Sequence, residues 1–338
     1  MSVDLSKKRI IMIHGLNSKP PKDDVHGLWK KCILENIRID NGPLAKQLHN
    51  ISPNVKIFQT AYWANATPHH IEDDKEYVEK LKHQVKKAID DRKDKGDDFH
   101  VGIGDKIGDF FASRGLDMVH LLTGALGVKD DVMKAFLREV ELYNSDQYIA
   151  DQIRGPLEVA LRDAWDNNCE VALLSHSMGT FIAYDVLWRF SHRNVRGFRK
   201  YRNKKITLFC TMGSPLGDPV IRDLLFARHH KNKGKRERQY PTNIEYWHNY
   251  ACLGDVVSHF HDFKEAFFEP MQEIGMFAGN LEDWTRDYTK LHNPFEVVSH
   301  PGNEERVKRD PHKSYGYLIQ PRLGTWVADF LLGNLEEN

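Results

Sequence analysis

Val171-Ala-Leu-Leu-Ser175-His176-Ser177-Met178-Gly179-Thr180 is the stretch on which the fold turns. Its first four residues are a continuous apolar run, as in a strand buried on both faces. Phe181 to Phe190 follows in a helical pattern. A buried strand therefore runs straight into a sharp turn and a helix, with a serine at the apex. Such a turn, a nucleophile elbow, holds a hydroxyl out above the sheet, provided small neighbours let strand and helix approach closely. Its usual pattern is G-x-S-x-G. Gly179 supplies the second glycine, and Ser175, also small, stands in place of the first.

Outward from this turn, short apolar runs alternate with longer helical patterns. Arg9 to Ile13, Val55 to Tyr62, Ile206 to Met212 and Tyr246 to Cys252 read as strands, and Tyr315 to Ile319 as the last. The class is α/β, with a mostly parallel central sheet flanked by helices. Between the second and third strands the alternation fails. Tyr77, Leu81, Val85 and Ile89 recur at helical spacing, a charged loop spans Asp94 to Asp98, and a more apolar segment runs from Phe110 to Tyr143. Residues 66–145 read as a helical insertion, and 1–65 with 146–338 as the core.

The 338 residues are 41% hydrophobic and 28% charged, which suits a globular protein and argues against disorder. Lys+Arg and Asp+Glu both number 48, so no net field draws the molecule to nucleic acid. Cys32, Cys169, Cys210 and Cys252 form no CxxC pair and read as buried thiols. The run Ile10 to Ile13 is too short for a signal peptide. Leu116 to Val128, broken by Asp117 and His120, falls short of the ~18 to 20 residues of a membrane span. A soluble, cytoplasmic protein is expected.

With these pieces in place, the chain resembles an α/β-hydrolase of the lipase and esterase kind over residues 9–63 and 147–333. The elbow carries most of the resemblance. His14-Gly15 after the first strand is similar to that family's oxyanion loop, and Thr211-Met-Gly213-Ser-Pro215-Leu-Gly217 to its Gly-Ser-Pro segment. The resemblance implies a triad in the chain order Ser, acid, His. Ser177 is then the nucleophile. Asp255, directly after an apolar strand, is the first choice of acid, with Asp218 as its rival. His312 is the first choice of base, with His300 and His259 as rivals. Backbone amides of Leu16 and Met178 would form the oxyanion hole.

A serine hydroxyl is a poor nucleophile at neutral pH and needs a base and an orienting carboxylate, which is why these residue types belong together. The implied activity is hydrolysis of a carboxylic ester, a small-molecule or lipid one, through an acyl-enzyme. Thioester or amide hydrolysis, acyl transfer and a non-catalytic binding or scaffolding module stay open. No cofactor is implied. Gly102-Ile-Gly104-Asp-Lys-Ile-Gly108 lacks a preceding strand, and His69-His70 is a weak metal signal, so no metal is called.

Two further expectations concern the surroundings. The insertion leaves the core where outgoing loops pass over the carboxyl edge of the sheet, so it is expected to cover Ser177 as a lid. Phe110, Leu121 and Leu122 would then meet substrate; packing on the core is the alternative. The basic segments Arg193 to Lys205 and Arg228 to Arg238 each precede a strand and should lie at the opposite edge, to contact anionic lipid or a partner, or simply as solvated loops.

Overall fold

The structure is a computed structural model and describes residues 3–15, 20–51, 53–66, 75–96, 131–229, 238–258, 262–295 and 310–335, without the side chains of 131–137. Six strands form one all-parallel sheet: β1 (Lys8–Ile13), β2 (Phe58–Ala61), β3 (Glu170–His176), β4 (Ile206–Met212), β5 (Ile244–Cys252) and β6 (Thr285–Leu291), in the order β2-β1-β3-β4-β5-β6. Apart from Glu170, which is exposed, and Thr207, which is half-buried, the residues of β1, β3 and β4 are buried, because helices cover both faces.

Side chains alternate between two apolar layers. Ile11, Ile13, Leu173, Phe209 and Trp247 face one layer. It is built from α4 (Asp131–Ser145), α5 (Gln147–Asp166), α6 (Met178–His192) and α7 (Pro219–His229). Ile10, Met12, Leu174, Cys210 and Tyr250 face the other. There lie α1 (Lys22–Asp40), α2 (Gly42–Ile51), α3 (Lys75–Lys95), α8 (Ser314–Leu318) and α9 (Pro321–Leu332).

The chain leaves β1 into α1 on one face and leaves β3 into α6 on the other. Neighbouring strands whose connections depart to opposite faces open a crevice at their carboxyl ends, the usual ligand position in a parallel sheet. Register brings those ends level: Ile13 lies beside Ser175, His176 beside Met212, and Met212 beside Tyr250. The turns after β1, β3, β4 and β5 therefore share one edge.

One sequence reading needs correction. Tyr315 to Ile319 is not the last strand; most of it is helix α8. A short apolar run does not by its periodicity distinguish a strand from a buried helical turn, and Tyr315, Tyr317 and Leu318 are all buried in the helical layer. The sixth strand is instead Thr-Arg-Asp-Tyr-Thr-Lys-Leu291, at the sheet edge, where only Thr285 and Leu291 are buried.

The two described helices of the 66–145 segment belong to different layers. Leu81, Val85 and Ile89 of α3 pack with α1, whereas Val140 and Tyr143 of α4 pack with α5 and α6. A buried ionic cluster secures α4: Asp185 on α6 accepts from the Tyr143 hydroxyl, from Arg154 at 2.9 Å and from His229 at 3.0 Å. Burial opposes ionisation of Asp185, but His229, Arg154 and Arg228 outweigh it and hold the carboxyl far below its usual range. Phe110, Leu121 and Leu122, assigned to substrate contact from the sequence, lie outside the described residues.

Arg193 to Lys205 precedes β4, and Arg228 to Arg238 precedes β5. Among the described residues of these segments, Lys200 pairs with Asp166 at 2.6 Å, and Lys205 with Glu245 at 3.7 Å. Arg228 donates to the carbonyl of Tyr143 at 3.0 Å. Among the described residues, no helix is long and apolar enough to cross a membrane, and no cluster of His, Cys, Asp and Glu is arranged to hold a metal ion.

Candidate active site

Ser177 occupies the turn between β3 and α6 with φ 55° and ψ −130°, a region that L-residues enter only under strain, at a cost of about 1–3 kcal/mol. The surroundings impose it. The Ser177 amide donates to the carbonyl of Met212 at 3.0 Å, and Thr180 donates through its hydroxyl to the Ser177 carbonyl at 2.7 Å. Serine at a helix N-cap commonly turns its hydroxyl onto the first-turn amides. Here it makes no such bond, so the hydroxyl is not spent on capping.

The elbow's neighbours are small because the backbone leaves no room. A Cβ on Gly179 would fall 2.7 Å from the carbonyl oxygens of both Ile13 and His14. Ser175, in the place of the pattern's first glycine, fits because its hydroxyl donates to the carbonyl of Cys210 at 2.9 Å. Its polar group is thereby satisfied despite full burial.

The β1 turn meets the elbow directly. A Cβ on Gly15 would stand 2.4 Å from the Ser177 Cβ and 3.0 Å from its Oγ, so only glycine permits this approach. Trp63 fixes the turn. Its indole N–H donates to the His14 carbonyl at 2.8 Å, and its backbone N–H donates to His14 Nε2 at 3.1 Å. Because Nε2 accepts there, the ring proton resides on Nδ1, which donates to the Gly15 carbonyl at 2.8 Å. The rings of His14 and Trp63 stack 5.0 Å apart. Leu16 lies outside the described residues; Met178 opens α6, where first-turn amides have no partner within the helix.

Asp255 and His312 are joined. Nδ1 of His312 is 2.9 Å from each carboxylate oxygen of Asp255. Asp255 is fully buried at its side chain, and His312 is 16% exposed. Two more donors hold the carboxylate: the Val257 amide at 2.9 Å on one oxygen and the Tyr317 hydroxyl at 2.5 Å on the other. Burial pushes the Asp255 pKa up, yet the charge of His312 and these hydrogen bonds overcome it, so the group ionises below its usual range. Burial, with Asp255 adding to it, drives the Tyr317 phenol well above its ordinary value, keeping it a donor.

This pair stands beside the elbow. A Cβ on Gly213, the residue after β4, would lie 3.0 Å from Asp255 Oδ2 and 3.1 Å from His312 Nδ1. Met212, immediately before it, receives the Ser177 amide. The structure thus gathers Ser177, Asp255, His312, His14, Gly15 and Met178 at one edge. Asp218, the rival acid, instead caps α7 through Val220 and Ile221 at 2.8 and 3.1 Å. His259 and His300, the rival bases, lie outside the described residues.

The sequence did not single out His176, Tyr317 or Trp63. Tyr317 sat within the run misassigned as a strand, and its phenol lies far along the chain from the acid it serves. Comparison with protein-family models, curated proteins and solved structures finds no match to this chain.

Proposed function

We propose that this protein is a serine hydrolase with the α/β-hydrolase arrangement, cleaving a carboxylic ester through an acyl-enzyme on Ser177. One observation carries the reading. A strained, uncapped serine stands at the carboxyl edge of the sheet, beside a histidine whose Nδ1 is held by a buried, ionised aspartate.

In this account His312 Nε2 takes the proton of Ser177 Oγ as the oxygen attacks the acyl carbonyl. Asp255 keeps the ring proton on Nδ1 and stabilises the imidazolium that forms. The proton then passes to the leaving alkoxide as the ester C–O bond breaks. Water, deprotonated by the same histidine, attacks the acyl-enzyme; the acid is released and Ser177 regains its proton. Negative charge on the tetrahedral oxygen is met by the Met178 amide at the N-terminus of α6, where the helix dipole also favours it. The Leu16 amide would be its partner.

The test is turnover of p-nitrophenyl esters from acetate to palmitate. The wild-type protein should hydrolyse at least one, and Ser177→Ala should lose that turnover without losing its fold. A folded wild-type protein inert toward every ester would favour a binding or scaffolding role on the same fold.

A further inference from the structure

We propose that His176, the residue before the nucleophile, is a positioning residue that fixes the base by gripping its backbone. The inference rests on the hydrolase reading. His176 Nε2 lies 2.7 Å from the carbonyl oxygen of His312. A carbonyl only accepts, so Nε2 carries a proton and donates. The ring is buried, packs 4.7 Å from the His312 ring, and lies 5.7 Å from that of Tyr317.

The turn carrying His312 is anchored by side chains at three successive carbonyls. Asn293 Nδ2 donates to Pro311 and Lys313 at 2.8 and 2.9 Å, and His176 takes the carbonyl between them. Asn293 also belongs to a connecting segment, whereas His176 ends β3, a central strand paired on both sides with β1 and β4. Of these anchors, only the histidine ties the base to the rigid part of the sheet. The same strand end presents Ser177, so one element sets both the nucleophile and the height of the imidazole above it. Displacement of a catalytic group by about 1 Å costs up to about 100-fold in rate.

A packing role would be filled by any similar ring, whereas a positioning role needs the donor. His176→Phe keeps the ring and deletes the donor; His176→Gln restores an N–H near the place of Nε2. For the best p-nitrophenyl ester, His176→Phe should lose about 10- to 100-fold in kcat with KM within about twofold. His176→Gln should recover to within about threefold of wild type on the same scale. By proton NMR, the low-field resonance of the His312 Nδ1 proton should shift or broaden in His176→Phe and return in His176→Gln. If His176→Phe does not fold, His176→Leu takes its place. Wild-type kcat in the donorless variant, or equal losses in both variants with the resonance unmoved, would overturn the proposal. Should the wild-type protein hydrolyse no ester, the hydrolase reading falls, and the resonance alone still decides whether His176 positions His312.

Discussion

Tyr317 donates its phenolic hydrogen to the carboxylate oxygen of Asp255 that also faces His312 Nδ1. The hydroxyl in turn accepts from the Cys252 amide at 3.1 Å. The acid is therefore held from the end of β5 and from α8 together. Tyr317→Phe leaves the ring in the core and removes one donor. The carboxylate then carries more charge toward His312 and stabilises its imidazolium. The acid limb of the kcat/KM profile, which reports loss of the neutral base, should move to higher pH, while kcat falls by about 3- to 10-fold. An unmoved limb would deny Tyr317 this influence.

Asp255→Asn bears on the same pair more severely. An amide cannot hold the ring proton on Nδ1 with both of its polar atoms, and it carries no charge to offset the imidazolium. Steady-state kinetics should show kcat reduced by about 10³- to 10⁴-fold, with the fold retained by circular dichroism. Activity within tenfold of wild type would exclude Asp255 as the orienting acid.

The strain at Ser177 predicts an unusual stability order. Alanine keeps a Cβ at φ 55° and should melt near the wild-type temperature. Glycine adopts this conformation freely, relieving about 1–3 kcal/mol, against about 0.5–1 kcal/mol for its greater freedom when unfolded. Ser177→Gly should therefore be at least as stable as Ser177→Ala in denaturant melts, though both are inactive. A clearly less stable glycine variant would show that the turn is not strained.

His248 on β5 gives a pH dependence unrelated to catalysis. It is fully buried, its ring meets Trp326 edge-on at 4.4 Å, and neither ring nitrogen has a hydrogen-bond partner among the described residues. Burial, aided by Arg286, pushes its pKa down to about 3. An unfolded chain takes up this proton near pH 6.5, whereas the folded one resists until about pH 3. Stability attributable to this group is thus complete above pH 6.5 and is lost on acidification, at up to about 1.4 kcal/mol per pH unit. His248→Phe should flatten the decline between pH 6 and pH 4 by roughly that slope in urea melts. An unchanged decline would assign it to other groups.

How much of this could be read from the chain follows from the range of each interaction. The elbow is local: an apolar run, a small residue, Ser177 and Gly179 sit within ten positions, and the turn between β3 and α6 falls there. β1, β3 and β4 announce themselves because burial on both faces demands largely apolar runs. β6 does not, since an edge strand with partly exposed residues such as Arg286, Asp287 and Lys290 has no such demand. Tyr315 to Ile319 misled for the converse reason, being apolar because it is buried rather than because it is extended. His176 and Tyr317 were silent because their partners, a backbone carbonyl and a distant carboxylate, leave no pattern in neighbouring residues.

The central claim is that Ser177 is an activated nucleophile, and labelling tests it most directly. The folded wild-type protein should be incubated with a fluorophosphonate at neutral pH, digested, and its peptides analysed by mass spectrometry. The account predicts one phosphonyl adduct, on the peptide containing Ser177, absent from Ser177→Ala and formed far more slowly in His312→Ala. No adduct on Ser177 in correctly folded protein, or equal labelling with His312 removed, would contradict it.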